Sequence, residues 1–182
     1  MKKIVIGVIG PAREEYPEDG KAAERIEKAA EITGRLIART GAVVLTGGMD
    51  GVMEAACRGA KSAGGLTIGT PGRERGMSNR YVDIEFLTPI GIGDFLFAGT
   101  WTCDALIVVP GSAGTMAELC LAYRVKKPVI ILKGFDPLYD RLVNKYADQG
   151  RFVKILGAES PKEAVAKAGE MARQNLKKGR EI

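Results

Sequence analysis

The amino-acid sequence predicts an α/β protein of Rossmann-like fold: a single domain over residues 1–182, with a parallel sheet and helices on both of its faces. Three observations support this fold class. Short apolar runs alternate with segments of helical spacing along the whole chain. Glycine-rich turns follow two of these runs, and no linker interrupts the pattern. Strands that alternate with helices form right-handed βαβ units, which build a parallel sheet.

The expected strands are apolar runs rich in β-branched side chains. The run at residues 3–9 ends at Gly10-Pro11 and is apolar throughout, so we expect it to be buried on both faces in the middle of the sheet. The other strands are expected at 42–46, 66–69, 84–87, 105–109, 129–132 and 152–155.

Helices are predicted where apolar residues recur every three or four positions. The first covers 21–39 and ends before Gly41. The last begins behind Ser160-Pro161, a capping residue followed by proline at the first helical position. The others are expected at 52–63, 92–101, from the turn at 110–115 to 124, and 138–147.

The composition excludes several kinds of site. Histidine is absent, so Ser-His-Asp triads, Cys-His dyads and histidine metal ligands are excluded. The three cysteines (Cys57, Cys103 and Cys120) lack metal-ligand spacing, so we predict no metal site and expect them in the core. With no signal peptide and no apolar run near the ~20 residues of a membrane span, the sequence favours a cytoplasmic protein without a membrane partner.

The net charge of +5 admits a polyanionic partner, but much of the excess lies in Lys177, Lys178 and Arg180 at the end of the chain. Nucleic acid is therefore not the expected partner.

The first candidate site is the turn after the second strand, with Gly47, Gly48, Asp50 and Gly51. Glycines let a backbone approach a ligand closely, and the following helix offers N–H groups and a positive dipole end to an anion. A tight turn without a ligand is the alternative, and the turn alone does not decide between them.

The second candidate site follows the fifth strand. Its glycines expose N–H groups and its hydroxyls add donors, so the segment is a candidate phosphate cradle. It differs from a Walker P-loop, which has Lys-Ser/Thr after the glycines, and from the dinucleotide G-x-G-x-x-G. Glu118 lies one helical turn beyond Thr115 and either faces the loop or is a solvated carboxylate near a helix N-terminus. The cradle comprises Gly111, Ser112, Ala113, Gly114 and Thr115.

Two weaker candidates complete the expected site. Arg80 ends a segment that begins at Arg73 and is either a lid over an anionic ligand or a charged surface loop. Gly10, after the first strand, suits a wall of the ligand site beside the point where the strand order reverses.

The two glycine turns together resemble a known family. Residues 46–56, Thr-Gly-Gly-Met-Asp-Gly-Val-Met-Glu-Ala-Ala, resemble the first signature of the LONELY GUY, or lysine-decarboxylase-like, family. Residues 110–118, Pro-Gly-Ser-Ala-Gly-Thr-Met-Ala-Glu, resemble its P-G-G-x-G-T-x-x-E signature. The short length and Lys127-Pro128-Val129 are more similar to the molybdenum-cofactor-carrier-like branch, with the DNA-processing protein DprA a more distant relation.

The resemblance implies a Rossmann-like fold, a homodimer or homotetramer, and a nucleotide or pterin-phosphate ligand such as the molybdenum cofactor. LONELY GUY enzymes hydrolyse the N-glycosidic bond of nucleoside 5′-monophosphates, and Glu118 matches their signature glutamate. Their partner arginine has no counterpart in residues 91–101, and Ser112 replaces a signature glycine.

The first interpretation is therefore a carrier or binding protein. A phosphoribohydrolase with Glu118 as its catalytic residue and a DprA-like DNA-binding protein are the alternatives. Nothing in the sequence indicates a pyridoxal-phosphate site, so lysine decarboxylation is not expected. Phe95, Leu96, Phe97 and Trp101 crowd one helix beyond what a single packing face needs, which favours an oligomer.

Overall fold

The computed structural model describes residues 3–88 and 94–178, with only the backbone for 94–97 and 178. The strands are β1 (Val5–Ile9), β2 (Val43–Thr46), β3 (Thr67–Gly72), β4 (Ile84–Leu87), β5 (Ala105–Val108), β6 (Val129–Leu132) and β7 (Leu156–Ala158). The helices are α1 (Gly20–Arg39), α2 (Val52–Ser62), α3 (Asp94–Thr102), α4 (Ala113–Arg124), α5 (Pro137–Asp140) and α6 (Pro161–Lys178).

Within the described residues the seven strands form one parallel sheet in the order β4-β3-β2-β1-β5-β6-β7. The first strand is central, as the sequence predicts, with three strands on either side. Its residue Ile6 aligns with Val44 of β2 on one side and with Ala105 of β5 on the other. The chain order reverses between β1 and β5, so the loops after these two strands diverge at the carboxyl edge of the sheet.

Two cores cover the faces of the sheet, and strand side chains alternate between them. Val8 and Ile107 point into the core under α1, α2 and α6, whereas Ile9 and Val108 point into the core under α4 and α5. This alternation is the period of two that a strand imposes, and because both faces of β5 and β6 are covered these two strands are buried and apolar throughout.

Helices α1 and α2 touch through their backbones. A Cβ atom on Gly34 would lie 1.9 Å from the carbonyl oxygen of Ala56, and one on Gly59 would lie 1.9 Å from that of Glu31. No side chain fits at either position, so this contact fixes α2 and the turn that precedes it.

The fifth helix and the seventh strand differ from the sequence-based prediction. The helix expected at 138–147 is only Pro137–Asp140, and the strand expected at 152–155 lies at Leu156–Ala158. The cause is a pairing between distant residues: the Asn144 N–H donates to the Ile155 carbonyl at 2.8 Å, and Asn144 has a φ of 62°. A positive φ at Asn144 is incompatible with an α-helix, so the helix cannot extend through this residue. Ile155, its hydrogen-bond partner, is buried.

Cys57 and Cys103 are buried, but Cys120 is exposed on α4, so its expected place in the core is wrong. None of the helices in the part of the chain described here is long and apolar enough to cross a membrane.

Candidate ligand-binding cleft

A cleft of about 390 Å³ opens where β1, β2 and β5 end. Its size is within the range of small-molecule sites, and its place at the carboxyl edge beside the reversal in strand order is the usual ligand position in open parallel sheets. The lining residues are Val8, Ile9, Gly10, Ala12, Glu14, Glu15, Gly47, Met49, Asp50, Met53, Ser112, Gly114, Thr115 and Glu118.

The N-terminus of α4 supplies hydrogen-bond donors to this cleft. The amide N–H groups of residues 113–115 donate to no acceptor within the described residues, and the Ser112 side chain does not cap the helix. The Tyr139 hydroxyl donates to the Ser112 carbonyl at 3.0 Å and fixes that peptide. Burial raises the pKa of Tyr139 to about 12, so the hydroxyl keeps its proton. Free N–H groups on a fixed helix end can donate hydrogen bonds to an anion.

At the N-terminus of α4, Gly114 leaves open space and Thr115 supplies a hydroxyl donor without an acceptor. Thr115 is 2% exposed, and its hydroxyl has no hydrogen-bond partner among the described residues. A Cβ atom on Gly114 would meet nothing closer than the Ser112 Oγ, at 3.6 Å. Buried hydroxyls are normally paired, so an orphaned hydroxyl beside open space is the arrangement that a bound ligand would complete.

Pro11 lies between the two glycine turns and contacts both. A Cβ atom on Gly51 would lie 2.6 Å from the Pro11 carbonyl oxygen, and one on Gly111 would lie 2.4 Å from the Pro11 ring. The Val52 N–H at the start of α2 donates to that carbonyl at 3.1 Å, so this helix N-terminal donor is paired within the protein and not available to a ligand. The close contacts at Gly51 and Gly111 hold the walls of the cleft together.

Asn79 holds the first glycine turn from behind. Its side-chain amide donates to the carbonyl oxygens of Gly48 and Met49, at 2.9 and 2.7 Å, and its backbone N–H donates to Gly48 at 2.7 Å. Gly48 has a φ of 83°, which favours glycine. The turn therefore has a fixed shape without a ligand.

Glu118 lies in the floor of the cleft and is 7% exposed, so it is not the solvated carboxylate that the sequence left open. Burial, and to a lesser extent the nearby carboxylate of Glu15, together raise the pKa of Glu118 to about 8. Within the described residues it has no ion pair and no hydrogen bond. At neutral pH this carboxyl is mostly protonated.

The arginine segment is attached to the sheet edge. Ser78 and Gly76 donate their N–H groups to the carboxylate of Glu85 at 3.0 and 2.8 Å. The Arg80 guanidinium donates to the Tyr81 hydroxyl at 2.8 Å and stacks on the Tyr81 ring. In this structure Arg80 is outside the lining of the cleft.

The structure brings most of the sequence-derived candidates together. Gly10, Gly47, Asp50, Ser112, Gly114, Thr115 and Glu118 line the cleft, whereas Gly48, Gly51, Gly111 and Ala113 lie in its supporting turns and Arg80 lies elsewhere. Sequence reasoning missed Glu14 and Glu15, which a 3₁₀ turn at Arg13–Glu15 places in the wall. Glu15 also caps that turn by accepting the Ala12 N–H at 2.9 Å. No spacing pattern marks such a contribution in a sequence.

The match to a family model decides the classification: residues 3–165 match the SLOG cluster4 family. The chain belongs to this family. A protein of Archaeoglobus fulgidus described as uncharacterized is 38% identical over 133 residues, which cover 73% of this chain and 82% of that protein. The family match confirms the wider family resemblance that the sequence predicts.

Among solved structures, the chain is similar to proteins that bind or carry the molybdenum cofactor. The molybdenum cofactor binding protein of Rippkaea orientalis is 34% identical, with a TM-score of 0.79 over 94% of this chain and 98% of that one. The molybdenum cofactor carrier protein of Chlamydomonas reinhardtii is 31% identical, with a TM-score of 0.80 over 94% and 99%. DprA of Streptococcus pneumoniae shares the fold alone, at 17% identity and a TM-score of 0.56 over 91% and 62%.

Proposed function

We propose that this SLOG cluster4 protein is a cytoplasmic carrier that binds a phosphate-bearing pterin, of the molybdenum-cofactor type, in the cleft at the N-terminus of α4. A nucleotide is the alternative cargo with the same chemistry. The observation that carries the proposal is the orphaned Thr115 hydroxyl beside the free N–H groups of residues 113–115.

The cleft residues fit such a cargo at its phosphate end. Phosphate oxygens accept hydrogen bonds, and the cleft offers the amides of α4 with the Thr115 hydroxyl while Gly114 leaves space for close approach. A ring system would lie along the apolar side chains of Ile9, Met49 and Met53. The similarity to solved proteins that bind or carry the molybdenum cofactor supports the same cargo.

The charges of the cleft favour binding over hydrolysis. Its described lining holds four acidic residues and no lysine or arginine. Glycosidic hydrolysis in the related enzymes pairs the signature glutamate with an arginine, and a fixed cation would hold the substrate in register. A mostly protonated Glu118 is a poor stabiliser of positive charge on a ribose.

We further propose that the carrier is a homodimer or homotetramer. Two large apolar side chains support this: Phe86 on the edge strand β4 is 57% exposed, and Trp101 on α3 is 62% exposed. Phe95, Leu96 and Phe97 have side chains outside the described set, so the proposal rests on Phe86 and Trp101.

The test is a loading experiment. Molybdenum cofactor released from a purified molybdoenzyme is incubated with the protein, unbound material is removed, and retained pterin is measured after oxidation to a fluorescent product. We expect retention by the wild type and a loss of about tenfold or more in Thr115→Val, which removes one charge-assisted hydrogen bond. Thr40→Val, at the far end of α1, is the matched control.

A second arm tests the enzymatic alternative. Nucleoside monophosphates are incubated with the wild type and with Glu118→Ala, and free base is measured by chromatography. We expect no base release above background from either protein. Rapid release by the wild type that Glu118→Ala abolishes, or a wild type that retains no pterin, would overturn the carrier proposal. Equal retention of pterin by the wild type and Thr115→Val would overturn the placement of the cargo at the N-terminus of α4.

A further inference from the structure

The surroundings of Glu118 set the role that its carboxyl can play toward a ligand. Glu15 from the 3₁₀ turn and Tyr139 from α5 lie near Glu118, and Glu14 and Asp50 are the other ionisable residues that line the cleft. None of these is a cation. An ionised Glu118 would thus be a buried charge without a partner, beside a like charge and at the place where an anionic cargo arrives.

A second orphaned hydroxyl lies on the other side of the same carboxyl. Behind the cleft a small void is bounded by Glu118 together with Thr46 and Thr100. Thr100 is 2% exposed, and its hydroxyl has no partner among the described residues. Glu118 therefore lines both cavities, and each cavity also has an unpaired hydroxyl: that of Thr115 in the cleft and that of Thr100 in the void.

The polar groups at the floor of the cleft are complementary to an oxyanion only when Glu118 is uncharged. The amides of α4 and the Thr115 hydroxyl are donors. A neutral carboxylic acid adds one more donor, whereas a carboxylate adds only acceptors and repels the ligand. Proteins use carboxylic acids held neutral in apolar sites as donors in this way.

We propose that Glu118 binds the cargo as a carboxylic acid, donating its O–H proton to a ligand oxygen beside the α4 amides, so that binding is lost as the carboxyl ionises. This role rests on the proposed function and assigns Glu118 to binding. No covalent bond is made or broken, and the proton stays on Glu118 in the complex.

Raised pH is the direct perturbation. The pKa of Glu118 is about 8 because the carboxyl is buried and faces Glu15. Since only the protonated form donates, the affinity of the wild type for an oxyanion should fall about tenfold per pH unit above that value. AMP is a suitable probe, because the second pKa of a phosphate monoester is near 6 and its charge is constant in this range.

The experiment is calorimetric titration of AMP into four proteins from about pH 7 to about pH 10. Glu118→Gln keeps an N–H donor at every pH, so it should bind AMP with an affinity that does not change with pH. Glu118→Ala has no donor and should bind about tenfold more weakly at pH 7, also without a pH trend. Glu24→Gln, an exposed carboxyl on α1, should reproduce the wild-type profile.

A direct readout accompanies the binding data. In protein labelled with ¹³C at the glutamate carboxyls, one resonance should titrate near pH 8 and be missing from the spectrum of Glu118→Gln. A Glu118 resonance that titrates with the ordinary glutamates, a wild-type affinity that does not depend on pH, or a Glu118→Gln variant as weak as Glu118→Ala would overturn the donor role. If the wild type binds neither AMP nor the molybdenum cofactor at any pH, the carrier function fails and the donor role fails with it.

Discussion

Gly114 gives the sharpest test of where the cargo binds. Nothing in the fold requires glycine there: an added Cβ atom meets no atom closer than 3.6 Å, and the residue has no left-handed φ. Alanine in a helix costs less conformational entropy than glycine, so Gly114→Ala should leave the free energy of unfolding unchanged or raise it by up to about 1 kcal/mol.

Binding should change in the opposite direction. The Cβ atom of a helical residue tilts toward the helix N-terminus, which is the side where the anion would sit. An oxygen held at hydrogen-bond distance from the amides of α4 would lie closer to this new methyl group than a normal contact of about 3.5 Å. Displacing the anion weakens hydrogen bonds worth about 1.5–3 kcal/mol each, so affinity should fall about ten- to a hundredfold.

The assay is urea unfolding together with pterin retention for Gly114→Ala. Gly169→Ala is the matched control, because its Cβ atom meets only the flexible Arg173 side chain, at 3.5 Å, on a helix far from the cleft. Gly111→Ala is the structural contrast, since its Cβ atom would meet the Pro11 ring at 2.4 Å and should destabilise the fold. A stable Gly114→Ala that retains cargo as well as the wild type would refute the placement of the cargo.

Three further predictions concern stability and assembly. Gly59→Ala should lower the free energy of unfolding by about 1–3 kcal/mol, because its Cβ atom would meet a backbone carbonyl. Gly169→Ala, the control, should raise that free energy by up to about 1 kcal/mol. Equal effects of the two substitutions in urea titrations would contradict the α1–α2 contact. Glu118 has a folded-state pKa of about 8 against an ordinary 4.5, so the folded state binds the extra proton and wild-type stability should fall as pH rises between these values. Relative to Glu118→Gln the loss should reach at most about 5 kcal/mol, and chemical unfolding with no such pH trend would show that the carboxyl is solvated. Light scattering at micromolar concentration should show a dimer or tetramer that Phe86→Ser or Trp101→Ser weakens and Tyr146→Ser does not; a monomeric wild type would exclude the assembly.

The sequence predicted the central architecture because the deciding signals are local. A run such as residues 3–9, apolar at every position, has few places other than the middle of a covered sheet. The glycine turns were equally predictable from the sequence, because the turn needs a residue with positive φ at position 51, and Gly51 has a φ of 62°. Signals of this kind need no knowledge of the rest of the chain.

The errors came from contacts between distant residues. The predicted helix at 138–147 was lost because Asn144 pairs with Ile155, eleven residues further along the chain. Glu15 reaches the cleft wall only because the 3₁₀ turn folds the loop after β1 toward α4. The burial of Glu118, on which its chemistry depends, is likewise a property of the assembled cleft.

The contact of Pro11 with both glycine turns has a consequence for how long a cargo stays bound. Gly51 and Gly111 both lie close to Pro11, and the Asn79 side chain donates a hydrogen bond to the first turn from outside. The two walls of the cleft therefore keep their spacing before a ligand binds. A binding site shaped in advance loses little conformational entropy when it fills. Differences in affinity among ligands of this cleft should thus appear mainly in their dissociation rates, with similar association rates.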